Sequence, residues 1–346
     1  MRKIYIILTG FLFLLAGCNP KVPEIRLEVN SQDKKVDVLV DGMLFTSYIY
    51  PEEVKKPVLW PIVSSCGDTI TRCFPMLKKS GERTDHPHHV GMWLNYENVN
   101  GLDFWNNSEA IPIERRDQYG TIYQRSIEKS ESGKGKGVLS VVCDWDTPKK
   151  EVLLKEHTSF TFRAGKQIRI IDRKTVLTAV ADTVIFYDAK DGMLGIRVTR
   201  SLELPSKDPV VLSDSHGIKT KVGKMDNTGV TGNYRSSEGI EGSKVWSTRA
   251  RWMKLWGKIN NKPVSLVIVD HPENVNYPTY WHARGYGLFA ANPLGEKIFS
   301  KGTKELNYTL KKGDSVTFRY RVILSDSNMT DEKINKLADE FAEIND

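Results

Sequence analysis

The feature that most constrains the fold is a two-residue alternation of apolar and polar side chains. Residues 35–50, KVDVLVDGMLFTSYIY, form two alternating runs around Asp41 and Gly42. Both central positions of a type I′ turn need a positive φ, which Asp-Gly tolerates, so this stretch predicts a β-hairpin. Similar runs recur along the chain as GVLSVVCDW, HTSFTFRAGKQIRIIDRKTVLTA, VSLVIVDHP and DSVTFRYRVIL. The period is two rather than 3.6, which predicts strands.

One clear helix is expected, at the C-terminus. Thr330 can cap it, and Asp331 and Glu332 suit the positive end of its dipole. Apolar residues then recur at helical spacing, at Ile334, Leu337, Ala338 and Phe341. Many strands without intervening helices predict an all-β fold, a large and mostly antiparallel β-sandwich with this helix on its surface. We expect residues 19–346 to form a single domain.

The first 18 residues are typical of a bacterial lipoprotein signal. Arg2 and Lys3 precede a short apolar run, and the segment ends in Leu15-Ala16-Gly17-Cys18. We expect Cys18 to become the lipidated N-terminus in the cell envelope, facing the periplasm or in the outer membrane. The lipid would then be the only membrane attachment; an uncleaved N-terminal anchor is the alternative.

Charge and cysteine content limit the partners. The formal net charge is +7, and the basic residues are spread along the chain, so no nucleic-acid surface is predicted. Cys66 and Cys73 are close enough in sequence to close a short loop by a disulfide, and Cys143 completes the set after Cys18. The odd number left after lipidation makes buried free thiols an equal alternative.

The segment Thr84–Asn107, TDHPHHVGMWLNYENVNGLDFWNN, holds three of the seven histidines within four residues. If Asp85–His89 is extended, His86 and His88 share one face, while Asp85 and His89 share the other. A His-x-His pair can hold a divalent metal if a third ligand comes from elsewhere. Three interpretations stay open: a metal site, a metal-free catalytic cluster and a hydrogen-bonded polar core.

Asp103 and Trp105 follow in NVNGLDFW. Spaced by two residues, they could share a face, as a carboxylate and an indole do in many sugar subsites. Trp105 could equally be a core residue.

A second polar and aromatic segment covers residues 270–295, DHPENVNYPTYWHARGYGLFAANPLG. It contains Asp270, His271, Trp281, His282 and Arg284. His282 and Arg284 would share a face if extended, which places a titratable ring beside a permanent cation. Pairing of Arg284 with one of the many aspartates is the structural alternative.

Three strings carry a resemblance to a known family. KPVLWPIVSSCGDTITRCFP, ERTDHPHHVGMWLNYENVNGLDFW and YWHARGYGLFAANPLG resemble the PmoA-like bacterial envelope family, also called methane oxygenase PmoA. The resemblance implies a β-sandwich of the galactose-mutarotase-like supersandwich kind, in bacteria that degrade complex glycans. The site residues it carries over are Asp85, His86, His88, His89, Asp103, Trp105, His282, Arg284 and Asn292.

The leading hypothesis is an envelope enzyme that cleaves or isomerises a glycoside or an oxidised sugar by acid/base catalysis. No nucleophile elbow, phosphate-binding loop, dinucleotide fingerprint or H-E-x-x-H motif occurs, which argues against nucleotide, hydride and esterase chemistry. A non-catalytic glycan-binding lipoprotein and a metal-dependent oxygenase are the alternatives. No cofactor is specified beyond a divalent metal held by His86 and His88.

The segments 85–89 and 270–284 should meet as two walls of one cleft. The expected catalytic residues are Asp85, His86, His88, His89, Asp103, His282 and Arg284. The expected substrate-binding residues are Trp105, Trp281, Asn292, Asp270 and His271. His86, His88 and His282 should share a pocket with Arg284, with Trp105 or Trp281 as its apolar side.

Overall fold

The computed structural model describes residues 22–214 and 216–344, which form mainly β-strands. In chain order the strands are β1 (Glu24–Asn30), β2 (Lys35–Val40), β3 (Met43–Ile49), β4 (Val58–Ile62), β5 (Glu82–Arg83), β6 (Met92–Leu94), β7 (Thr121–Glu131), β8 (Gly133–Lys134), β9 (Lys136–Asp146), β10 (Val152–Gly165), β11 (Ile168–Ala179), β12 (Thr183–Phe186), β13 (Leu194–Arg197), β14 (Val210–Ser213), β15 (Lys219–Val222), β16 (Asn233–Ser236), β17 (Trp252–Ile259), β18 (Lys262–Asp270), β19 (Tyr280–Arg284), β20 (Leu288–Asn292), β21 (Tyr308–Lys311) and β22 (Ser315–Ser325). The α-helices are α1 (Glu296–Phe299) and α2 (Asp331–Ala342), and short 3₁₀ helices cover Glu52–Val54, Ile113–Gln118, Arg200–Leu202 and Gly242–Val245.

Two large sheets form the architecture. The nine-stranded sheet has the order β19-β20-β13-β6-β4-β3-β2-β1-β8, and the eight-stranded sheet has the order β16-β17-β18-β22-β11-β10-β9-β7. Their inner faces meet in one core, where the rings of Phe45 and Phe162 lie 6.1 Å apart and those of Tyr48 and Phe160 lie 5.9 Å apart. Neighbouring strands in both sheets are antiparallel. The predicted all-β, mostly antiparallel sandwich is confirmed.

The hairpin of β2 and β3 forms as its sequence predicts. Asp41 and Gly42 have φ values of 49° and 81°, the positive pair that a type I′ turn requires. Along β2, buried residues alternate with partly exposed ones, so the two-residue period reflects one face on the core.

Helix α2 covers the outer face of the eight-stranded sheet, as expected. The Thr330 side chain accepts a hydrogen bond from the backbone N–H of Lys333 at 3.3 Å, which caps the first turn. Ile334, Ala338 and Phe341 are buried in one cluster with residues of β17, β18 and β22. No helix among residues 22–214 and 216–344 is long and apolar enough to cross a membrane. The predicted signal and Cys18 lie outside the described residues.

The sheet register places a set of side chains on the outer face of the nine-stranded sheet, the face that points away from the core. Directly paired residues on neighbouring strands share a face. The core cluster contains Leu94, Leu194, Ala291 and Trp281, so the residues next to them in the chain face outward. One outward row therefore runs through Trp93, Gly195, Ala290 and His282, and the next through Arg197, Leu288 and Arg284.

The cysteines of the described chain form no disulfide. Within the described part of the chain, Cys66, Cys73 and Cys143 are free thiols. The disulfide between Cys66 and Cys73 that the sequence left open is therefore not formed.

Candidate active site

The segment Asp85–His89 forms a turn above the outer face. Pro87 and His88 occupy its centre, and the backbone N–H of His89 donates to the carbonyl oxygen of His86 at 3.0 Å. His86 has a φ of 45°, a conformation that non-glycine residues adopt rarely and that often marks functional positions. The segment is not extended, because a turn around Pro87 replaces the strand alternation. The turn still gathers the three imidazole rings.

Two buried arginines hold this turn. Oδ1 of Asp85 accepts from Arg72 at 2.9 Å and from Arg197 at 2.7 Å. Arg72 also donates to the backbone oxygens of Asp85, His86 and His89. Burial acts to raise the pKa of Asp85, but His86, Arg197 and Arg72 together hold it well below its usual range. Asp85 is therefore a fixed anion at neutral pH and cannot serve as a proton donor.

His86 is the ring of this turn that faces solvent. It stacks on His89 with centroids 4.9 Å apart and on Tyr286 with centroids 5.1 Å apart, both nearly parallel. Its Nδ1 is buried and lies 2.9 Å from Oδ2 of Asp85, while the side chain as a whole is 40% exposed. The angle at this contact falls outside hydrogen-bond geometry; catalytic contacts of this type often align only when substrate binds. Asp85 thus favours a proton on Nδ1 and leaves Nε2 as an accessible base.

His88 and His89 lie behind His86 and are buried. His89 Nε2 accepts from Trp105 Nε1 at 3.2 Å, and its Nδ1 lies 3.2 Å from a guanidinium nitrogen of Arg197. A neutral imidazole carries one N–H and accepts at its other nitrogen, so protonation of His89 would remove its one acceptor and set both N–H groups against donors. Burial, then neighbouring positive groups, lower the pKa values of His88 and His89 well below the usual range. Both rings are neutral at pH 7, which suits a positioning role.

Lys56 belongs to this region but was not among the expected site residues, although it begins the string KPVLWPIVSSCGDTITRCFP. Its side chain is 2% exposed, its Nζ donates to the His88 carbonyl oxygen at 2.8 Å, and it lies 5.6 Å from the Trp93 ring. Burial lowers its pKa to about 7, opposed by the charge of Asp103. Asp103 is half-buried and accepts from the backbone and side-chain nitrogens of Asn106, and burial raises its pKa. Asp103 is therefore a titratable group, but it lines a different cleft, and no contact joins it to His86.

A cleft of about 480 Å³ opens next to Tyr286. Arg284 and Trp246 line it together with Tyr286. The Arg284 guanidinium carbon lies 5.7 Å from the Trp246 ring and 5.9 Å from the Tyr286 ring. Tyr286 therefore joins the cleft to His86, because one ring contacts both.

His282 supports the cleft from below. It is 1% exposed, its Nδ1 accepts from Trp246 Nε1 at 3.0 Å, and its Nε2 lies 3.2 Å from Asp191 Oδ1. Burial lowers its pKa, and Asp191 opposes that shift. With both nitrogens occupied, His282 fixes Trp246 rather than exchanging protons with a ligand. The expected single pocket of His86, His88 and His282 is not formed, although His86 and Arg284 both contact Tyr286.

Three expected substrate-binding residues are interior. Trp105 is 0% exposed and bonds to His89, so it offers no open ring face. Trp281, also 0% exposed, donates to the Ala250 carbonyl oxygen at 3.0 Å within the core. Asn292 is 0% exposed and donates to the backbone oxygens of Ala189 and Lys190. Their polar groups are satisfied within the fold, which corrects the expectation that they line the cleft.

Asp270 and His271 do not form the opposite wall. Asp270 ends β18 in the eight-stranded sheet, where its oxygens accept from the backbone N–H of Thr279 and the side chain of Asn274. Burial raises the pKa of Asp270 to about 7. The His271 ring packs against Phe341 of α2 with centroids 5.0 Å apart. Of the second segment, only the part from His282 to Tyr286 reaches the site.

No third ligand joins His86 and His88 in a divalent metal site among the described residues. Their ring centroids are 5.6 Å apart and the rings are nearly perpendicular. Within residues 22–214 and 216–344, no three His, Cys, Asp or Glu side chains converge as ligands of one ion. Divalent sites in proteins need at least a third protein ligand in most cases, so the expected metal set is not assembled.

Sequence reasoning missed most of the residues that build the site. Arg197, Asp191 and Trp246 lie in stretches without a motif, and the fold alone brings them to the site. Arg72 lies within the string KPVLWPIVSSCGDTITRCFP, but nothing in that string marked it as a site residue. Tyr286 had one local signal: it sits between Gly285 and Gly287 in the tight turn between β19 and β20, where it is partly buried.

Comparisons with known proteins identify the family of this chain but no curated relative. A family model for DUF6807, described as a family of unknown function, matches residues 35–339. The chain belongs to DUF6807. The expected PmoA-like membership is wrong, because the strings that suggested it lie within the DUF6807 match. No curated protein matches the chain significantly.

The solved structures that resemble this DUF6807 chain share little sequence with it. An α-galactosidase from Geobacillus stearothermophilus is 12% identical with a TM-score of 0.34, and the match covers 82% of this chain and 40% of that chain. This chain thus spans less than half of the α-galactosidase. A galactose mutarotase-like protein from Clostridium acetobutylicum is 11% identical with a TM-score of 0.34, covering 87% and 98%. A galactose mutarotase related enzyme from Lactobacillus acidophilus is 10% identical with a TM-score of 0.29, covering 88% and 99%. Scores this low carry no argument about function, which must come from the residues of the site.

Proposed function

We propose that this protein is a lipid-anchored envelope enzyme that acts on a carbohydrate, cleaving or isomerising a glycoside or an oxidised sugar by acid/base catalysis. The observation that carries the proposal is the pair of Asp85 and His86. A permanently ionised carboxylate lies at Nδ1 of a ring whose other side is open to solvent. This arrangement of an orienting anion and an accessible imidazole is the usual one for a general base.

The surrounding groups support an assignment of roles. Arg72 and Arg197 fix Asp85, and the stacked rings of His89 and Tyr286 fix the plane of His86. In hydrolysis, His86 would take a proton from the water that replaces the leaving group at the anomeric carbon, and would return it to the leaving oxygen. In an oxidised sugar it would take a proton from the carbon next to the carbonyl group. It would then return that proton to the leaving oxygen as a C=C bond forms, or to the isomerised carbon.

The cleft beside His86 suits a polar ring-shaped ligand. Trp246 and Tyr286 offer aromatic surface to the apolar face of a pyranose, and Arg284, Ser206 and Ser243 offer hydrogen-bonding groups at the same cleft. His282 and Asp191 hold Trp246 in place. The same cleft could serve a binding protein, so catalysis has to be measured separately from affinity.

The test is a single replacement with a matched control. The protein is first screened for turnover on a panel of glycosides and keto-glycosides. His86→Gln should then lower kcat by about 10²- to 10⁴-fold, the usual contribution of a general acid/base, with little change in melting temperature. His157→Gln, an exposed histidine on β10, should leave kcat unchanged.

Two results would contradict the proposal. A wild-type protein that binds sugars in the cleft but turns over nothing in the panel would be a glycan-binding lipoprotein. Activity within threefold of wild type in His86→Gln would remove His86 from catalysis.

A further inference from the structure

We infer that the cleft selects a sugar that carries an oxyanion, either a carboxylate or a sulfate ester, and that Arg284 is the residue that selects it. The inference rests on the proposed carbohydrate function and adds the charge class of the substrate.

Arg284 is exposed, and its guanidinium makes no hydrogen bond or ion pair with any of the described residues. Each of the other arginines near the site has a carboxylate partner. Arg72 and Arg197 share Asp85, and Arg83, which also lines the cleft, bonds to Glu203 at 2.7 Å. The expected structural alternative, an Arg284 satisfied by an aspartate, is therefore not realised in residues 22–214 and 216–344. Arg284 supplies an unneutralised charge to the cleft.

The guanidinium is nevertheless held in place. It lies between the rings of Trp246 and Tyr286, at 5.7 and 5.9 Å. Trp246 is fixed by its bond to His282, and Tyr286 by its stack on His86. A guanidinium placed over aromatic rings keeps its in-plane N–H groups free, and these match the two oxygens of a carboxylate or sulfate. The entropy cost of ordering this donor is therefore partly met before a ligand arrives.

The one acidic lining residue does not cancel this charge. Asp208 lines the cleft, but it forms no ion pair with Arg284 and accepts instead from the Ser206 hydroxyl at 2.9 Å. A neutral sugar would leave Arg284 without an anionic partner. An anionic sugar would place its oxyanion on Arg284 and its ring against Trp246 and Tyr286. Because Tyr286 also stacks on His86, the sugar ring would then lie next to His86.

The experiment measures binding by titration calorimetry, which does not depend on catalysis. Three probes are compared: D-glucose, D-glucuronate and D-glucose 6-sulfate. The wild type should bind at least one of the two anions about tenfold more tightly than glucose, a difference of roughly 1.4 kcal/mol. The anion that wins identifies the substituent. Arg284→Gln should abolish the preference, and Arg284→Lys should restore part of it.

Arg26→Gln is the matched control. Arg26 is an exposed arginine on β1, far across the nine-stranded sheet from β19, and its removal should leave the preference unchanged. Equal affinity for glucose and both anions, an anion preference that survives Arg284→Gln, or no binding of any probe would each overturn the inference. Turnover of neutral sugars alone would overturn it while the acid/base proposal stands. Anion binding through Arg284 without turnover would instead contradict the acid/base proposal.

Discussion

Replacing Lys56 with Met should change how stability depends on pH. In the folded protein burial lowers the pKa of Lys56 to about 7, whereas the ordinary value of 10.5 applies to the unfolded chain. Between these values the unfolded state binds more protons, so the free energy of unfolding of the wild type rises with pH across this window. Lys56→Met removes the buried charge and keeps an unbranched apolar side chain near Trp93.

The magnitude follows from the width of the window. Each pH unit in which the folded state binds one proton fewer is worth about 1.4 kcal/mol, so between pH 7 and 9 the wild type should gain about 2–3 kcal/mol relative to Lys56→Met. Lys56→Met also loses the hydrogen bond to the His88 carbonyl oxygen. To first order, this loss lowers the free energy of unfolding of the variant equally at both pH values. The difference between the two pH values is therefore the quantity to measure.

The assay is urea unfolding of both proteins at pH 7 and pH 9, followed by tryptophan fluorescence. Lys221→Met, at an exposed lysine of β15, is the control and should follow the wild type at both pH values. If Lys56→Met and the wild type change in parallel between pH 7 and 9, Lys56 is not held in a low-dielectric site and the described packing around His88 is incorrect.

Two other predictions concern the packing of the outer face and the N-terminus. Gly195→Ala should destabilise the protein by about 1–3 kcal/mol in urea unfolding, because its Cβ would lie 2.6 Å from the Trp93 ring, whereas Gly223→Ala, which meets no atom within 4 Å, should not; equal effects would contradict the packing. Cys18→Ser should abolish lipidation and release the protein from the membrane fraction, and membrane labelling that survives would refute the lipoprotein prediction.

The fold could be predicted from local sequence patterns. The alternation in Lys35–Tyr50 reports one buried face, and Asp41-Gly42 has the φ values that its turn demands, so local chemistry and tertiary structure agree. Helix α2 was equally clear, because its cap at Thr330 and its apolar stripe both lie within one short segment. Neither element depends on which distant strands become neighbours.

Only part of the site could be predicted from the sequence, for a physical reason. His86 and Asp85 are adjacent in sequence, and so their cluster could be recognised, but the turn at Pro87 that sets which rings lie together could not. Trp105 was misassigned because a buried indole and an exposed one have the same spacing pattern. Arg197 reaches the site through sheet register, which a two-residue period does not specify between distant strands.

The central claim is that the Asp85 and His86 pair and the cleft beside Tyr286 form one carbohydrate site. The most direct measurement is a crystal structure of the protein soaked with a sugar that it binds or turns over. The account predicts sugar density against Trp246 and Tyr286, with an oxygen within hydrogen-bond distance of His86 Nε2 and an oxyanion on Arg284. Sugar density confined to another part of the surface, such as the pocket between Lys34 and Arg125, would contradict it.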